Sequence, residues 1–219
     1  EFMDHRLIGW LLLLCLLSGL LGGMYTELYA WLTRVFKRKE GRVLLKVIVG
    51  SAVAALIAWT LNPALMGTSK GMISAIIAAD LSNPLLTGRL AGVGAVGLVL
   101  IVMLLAKTLC NCITVGSGMS AGFTGPAAIT GMLLGAAVAH FAHVDHYSPD
   151  YYALIAAGFS GTLASCMNIP LAAAIMATEI FGLQSSFPAA LAAVIGFQVT
   201  RASTIYDYAL AGAGLAVDE

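Results

Sequence analysis

Residues 115–137 read VGSGMSAGFTGPAAITGMLLGAA, and the fold turns on how this stretch is understood. Long apolar runs lie on both sides of it. Within it Gly116, Ser117, Gly118, Ser120, Gly122, Thr124, Gly125 and Pro126 follow in close succession. Such residues weaken a helix and leave backbone N–H groups free. In hydrocarbon each unsatisfied backbone group costs on the order of several kcal/mol. The break therefore lies outside the membrane, or something binds there.

Composition favours a membrane. The chain has 219 residues, of which 60% are hydrophobic and only 10% charged. Soluble domains carry about 25% charged residues. Mean hydropathy is +0.93. The reading is an all-α integral membrane protein, with long tilted spans followed by short broken helices. Net charge is zero but uneven: Arg34, Lys37, Arg38, Lys39, Arg42 and Lys46 cluster, and Arg201 is the only basic residue after Lys107. A nucleic-acid partner would need a broad basic surface, so none is expected. The basic cluster reads as a cytoplasmic loop, residues 34–46, between two spans. Residues 1–3, EFM, read as a cloning remnant, which leaves 4–219 as one membrane domain.

The spans follow from the hydropathy pattern. Leu7–Phe36 is about 45 Å long as a helix, more than the ~30 Å hydrocarbon core, so it tilts or projects. The second span starts at Val43 and runs toward Met66, with Trp59 suited to the interface. The run from Met72 to Ala79 is too short to cross and reads as re-entrant or interfacial. A third long span covers Leu90 to Val115, in which Lys107 should snorkel or pair. Four shorter runs follow: Pro126–Phe141, Tyr152–Cys166, Pro170–Phe181 and Pro188–Val199. Three start at proline, which is favoured in a first helical turn. Short apolar segments interrupted by Gly and Pro point to a transporter-type site in mid-membrane. Helix N-termini there offer free donors and partial positive charge, which suits an anion. Gly131 with Gly135, and Ala157 with Gly161, have the four-residue spacing of closely packed helices.

Other groups are read more plainly. Cys15, Cys110, Cys112 and Cys166 sit in apolar segments without metal spacing and read as free thiols. His140, His143, Asp145 and His146 read as a polar connection at the membrane surface rather than a metal or pH site. Ser160 lacks the strand-to-helix elbow of a hydrolase nucleophile, so no enzyme is expected. Glu179 ends a helix and is read as capping it or pairing with Arg201. No cofactor or metal is expected.

Three stretches together resemble a known family. They are GSGMSAGFTGPAAITGMLLGAA, YYALIAAGFSGTLASCMNIPLAAAIMATEIFG and STIYDYAL, in that order. The set resembles the C-terminal half of the CLC chloride channels and chloride/proton antiporters. Those proteins carry a Gly-x-Phe-x-Pro motif before one helix, a Pro-led helix ending in Glu, and a late Tyr. The resemblance implies one half of an inverted-repeat fold, with transport of chloride or a similar small anion, passive or proton-coupled. It implies an anion site built from the loop at Gly122, the amides of Phe123 and Thr124, and the Tyr206 hydroxyl. Where the family has its motif Phe, this chain has Thr124, and the aromatic stands at Phe123. No Gly-Arg-Glu stretch for a gating glutamate occurs. The resemblance therefore implies a missing N-terminal half as partner, the chain being a fragment or one product of a split protein. It also implies a homodimer within the lipid bilayer of a prokaryotic inner membrane, with a cytoplasmic C-terminus. Two alternatives come from other classes: half of a different broken-helix transporter for a small solute, and a non-transporting assembly subunit.

Overall fold

The computed structural model describes residues 5–37, 43–90, 92, 94–119, 121–201 and 204–212. Residues 1–4, where the cloning remnant is expected, the middle of the basic loop, Ser120 and residues 213–219 lie outside the described residues. Among the described residues ten α-helices follow in order: α1 (His5–Lys37), α2 (Val43–Thr60), α3 (Lys70–Ile77), α4 (Pro84–Thr87), α5 (Val96–Gly116), α6 (Thr124–Phe141), α7 (Pro149–Met167), α8 (Pro170–Phe181), α9 (Ser186–Val199) and α10 (Ile205–Gly212). No strand occurs among the described residues. By length and composition α1, α5 and α6 can each cross a membrane, and α2, α8 and α9 are shorter apolar helices.

The core is organised around α7. From Ala153 to Met167 every one of its residues is buried. It packs on α6, α9, α1 and α8. Small residues permit this. A Cβ on Gly135 would come 2.6 Å from the Leu154 carbonyl oxygen, and one on Gly131 would strike the Gly158 carbonyl. The paired glycines therefore let α6 and α7 touch backbone to backbone, as membrane helices do where side-chain hydrophobicity gives no drive. On the far side of α7 a Cβ at Gly161 would sit 2.9 Å from Ser18 Cβ on α1. Hydroxyls reinforce these crossings. Ser165 Oγ donates to the Gly19 carbonyl at 2.7 Å, and Thr200 Oγ1 donates to the Ser165 carbonyl at 2.6 Å, joining α1, α7 and α9.

The surface is apolar where it faces outward. On α1, Leu12, Leu13, Leu16, Leu20 and Trp31 are exposed, and on α2 so are Leu44, Ile48, Leu56 and Trp59. Apolar side chains on this scale belong against lipid or another protein surface. Trp59 carries Arg89 over its ring at 5.4 Å, an arrangement suited to the membrane border.

Four local expectations need correction. Helix α6 starts at Thr124 and α9 at Ser186, so Pro126 and Pro188 lie inside the first turn rather than leading it. Proline is tolerated there because early N–H groups have no intrahelical partner. Helix α7 does start on a proline, Pro149, and Ser148 caps it by accepting from the Tyr151 N–H at 3.3 Å. Lys107 neither snorkels nor meets a carboxylate. Its ammonium donates to the Leu65 carbonyl (2.8 Å), the Gly67 carbonyl (2.9 Å) and Ser69 Oγ (2.7 Å). Glu179 is exposed, and among the described residues it forms no ion pair with Arg201. The short run expected over Met72–Ala79 falls on α3, whose end is held by Tyr151 and Tyr152 hydroxyls donating to the Ile76 and Ile77 carbonyls at 2.9 and 3.1 Å.

Candidate functional site

The break quoted at the outset is a connection between α5 and α6. Helix α5 ends at Gly116, and Gly118 takes a positive φ of 101°. That left-handed conformation is open to glycine at little cost. Phe123 is the N-cap of α6, with no side-chain hydrogen bond to the helix. Pro126 has no N–H to give. The amides at this start have no side-chain cap from Phe123 among the described residues. No acidic residue occupies the first turn. The helix adds about half a positive charge at this end.

Helix α10 comes back to this loop. Thr204 and Asp207 hold its start reciprocally: Asp207 Oδ2 accepts from the Thr204 N–H at 2.8 Å, and Thr204 Oγ1 accepts from the Asp207 N–H at 3.1 Å. This is a capping box, here with Asp in the place of Glu. It fixes the direction in which the next residues leave the first turn. The Tyr206 ring lies edge-on to the Phe123 ring, with centroids 6.4 Å apart. Tyr29 of α1 stands on the other side of Phe123, at 4.9 Å and also edge-on.

Two of the expected residues, Thr124 and Tyr206, share one contact. Thr124 Oγ1 donates to Met167 Sδ at 3.8 Å, and the Tyr206 hydroxyl donates to the same sulfur at 3.8 Å. Phe123, Thr124 and Tyr206 thus surround the end of α7. Tyr206 remains 44% exposed, so its hydroxyl can be reached from outside the bundle. Tyr208, two residues on, packs against the core. Gly122 is exposed, and a Cβ there would meet nothing within 4 Å. Its side of the loop opens on a cavity of about 530 Å³ lined also by Lys107, Asn111, Thr114, Ser51 and Gly125.

Two residues of this constellation are not legible as site residues in the sequence. Met167 looks like another apolar residue of α7. Its only signal is its place just before Asn168, which takes a left-handed φ of 55°, and Pro170. Tyr29 is one more aromatic residue of a long apolar span in the sequence, and it is 5% exposed. The histidines make no such convergence. His140 and His146 rings lie 6.2 Å apart, and no three His, Cys, Asp or Glu side chains gather at one point among the described residues.

Comparison with known proteins follows the same lines. Residues 2–201 match the family model described as voltage gated chloride channel. The chain is 27% identical over 194 residues to the uncharacterized protein MJ0305 of Methanocaldococcus jannaschii, covering 87% of this chain and 43% of that protein. It therefore spans less than half the length of that relative. No solved structure matches the chain.

Proposed function

This integral membrane chain belongs to the voltage gated chloride channel family, and on that premise we propose that it forms one half of a pathway for chloride or a similar small anion. The amides of Phe123 and Thr124, with Gly122 in the same loop, and the Tyr206 hydroxyl are the donors of one side of the anion site. A second half supplies the other donors and any gating carboxylate. The observation that carries this reading is the convergence of Thr124 and Tyr206 hydroxyls at one point beside the uncapped start of α6.

The chemistry suits turnover. Amide dipoles and hydroxyls replace part of an anion's hydration without the tight grip of a full cation, so the ion can leave again. The nearest buried ammonium, Lys107, has its protons committed to two carbonyls and a hydroxyl. Two copies would meet through α8 and α9, where Leu171, Ile175, Ile180, Leu183 and Phe187 are exposed. The membrane is a prokaryotic inner membrane, with the basic loop on its cytoplasmic side.

Tyr206→Phe is the direct test in the reconstituted full-length protein. Loss of one hydrogen bond to an anion should weaken chloride binding about tenfold by calorimetry. Unchanged affinity would remove Tyr206 from the site. Chloride-dependent flux in liposomes separates this function from a transporter of an unrelated solute.

A further inference from the structure

The anion reading leaves Met167 unexplained, although both candidate hydroxyls end on it. Among the described residues, Thr124 Oγ1 and the Tyr206 hydroxyl have no other acceptor than Met167 Sδ. The sulfur is held firmly. Met167 is the last residue of α7 and 4% exposed. Beyond it the Asn168 N–H closes the helix on the Ala164 carbonyl at 3.0 Å, and Pro170 opens α8.

A thioether is a weak acceptor but a polarisable one. It is strong enough to orient two hydroxyl hydrogens and too weak to keep them from an anion. Resting on the anion site proposed above, we infer that Met167 is its positioning and selectivity residue. Its sulfur is a placeholder that aims the Thr124 and Tyr206 hydroxyls at one point and yields them when an anion arrives. A part-buried hydroxyl without this acceptor would turn to a carbonyl or to water, and the anion would then have to break a stronger bond. The wall around the ion is also soft. Sulfur and the neighbouring Phe123 ring, 6.4 Å from that of Tyr206, favour polarisable, weakly hydrated anions, so bromide should be held better than an aliphatic wall would hold it.

Two substitutions in the full-length protein test this, with calorimetric titration by sodium chloride and sodium bromide. Met167→Gln keeps the length and puts an amide oxygen, a strong acceptor, where the sulfur was. It should weaken chloride binding about tenfold, because the hydroxyls are no longer released cheaply. Met167→Leu keeps the volume and removes the acceptor. It should lower the preference for bromide over chloride. A Met167→Gln variant with parental chloride affinity, or a Met167→Leu variant with the parental bromide preference, overturns the inference. If Met167→Gln does not fold, Tyr206→Phe in the Met167→Leu background serves in its place. A placeholder predicts that losing the hydroxyl costs less there than in the parent, and independent, additive losses overturn it. A parent protein that binds no chloride at all removes both this inference and the anion site. A parent that binds chloride and is indifferent to position 167 removes this inference alone.

Discussion

Lys107 shows what a single residue does in this fold. It is 2% exposed and tied to two carbonyls and a hydroxyl of the connection between α2 and α3. That connection carries left-handed residues at Gly67 and Ser69, with φ of 60° and 50°. The ammonium gathers their oxygens in place of a carboxylate. Lys107→Met keeps most of the stem and orphans three acceptors, so it should destabilise the bundle by about 2 kcal/mol or more, read as a lower melting temperature in detergent. A variant melting with the parent would show that water from the adjoining cavity replaces the ammonium. The residue scale is also where sequence reasoning is weakest. The loop donors at Phe123 and Thr124 are visible as a motif because Gly and Pro leave a signature in an apolar run. Met167 and Tyr29 carry no such signature, since a methionine or tyrosine in a membrane helix looks the same whether it faces lipid or a site. Glu179 misleads for the same reason: its helical position says nothing of how far away Arg201 lies.

At the scale of elements, the helices are legible and their first turns are not. Apolar runs mark α1, α2, α5 and α8 because hydrophobic length is set by the bilayer. Starts shift by a few residues because a proline serves equally as the first residue of a turn or its third, as Pro149 and Pro126 do. The capping box of α10 is the element-level device that matters most for the site. Asp207→Ala removes one of its two bonds and should cost α10 about 1 kcal/mol. Chloride affinity should fall a few-fold with Tyr206 still present, and equal affinity would mean that contacts beyond the cap hold α10. The crossing of α6 and α7 gives a second prediction. Gly131→Ala drives a methyl into the Gly158 carbonyl. It should cost about 1–3 kcal/mol of stability through overpacking, measured by thermal unfolding in detergent. A silent substitution would show that the two helices part easily.

For the whole molecule, the arrangement is a bundle wrapped around one buried helix, with an uncapped helix start and a tyrosine-bearing helix brought to the same end of it. The spacing of Gly131 and Gly135, and of Ala157 and Gly161, made the close crossings readable, because only small residues let backbones meet. The convergence of α10 with the α5–α6 connection was not readable, because it depends on how α1, α7 and α9 set the frame between them. The family match covers residues 2–201, and the proposed anion site at Phe123, Thr124 and Tyr206 lies at the meeting of α6 with α10. The most direct measurement is therefore to locate the anion. Crystals of the full-length protein grown in bromide should show anomalous scattering within hydrogen-bond reach of the Tyr206 hydroxyl and the Phe123 and Thr124 amides. Bromide bound elsewhere, beside Lys107 for example, with none at this point, would contradict the account.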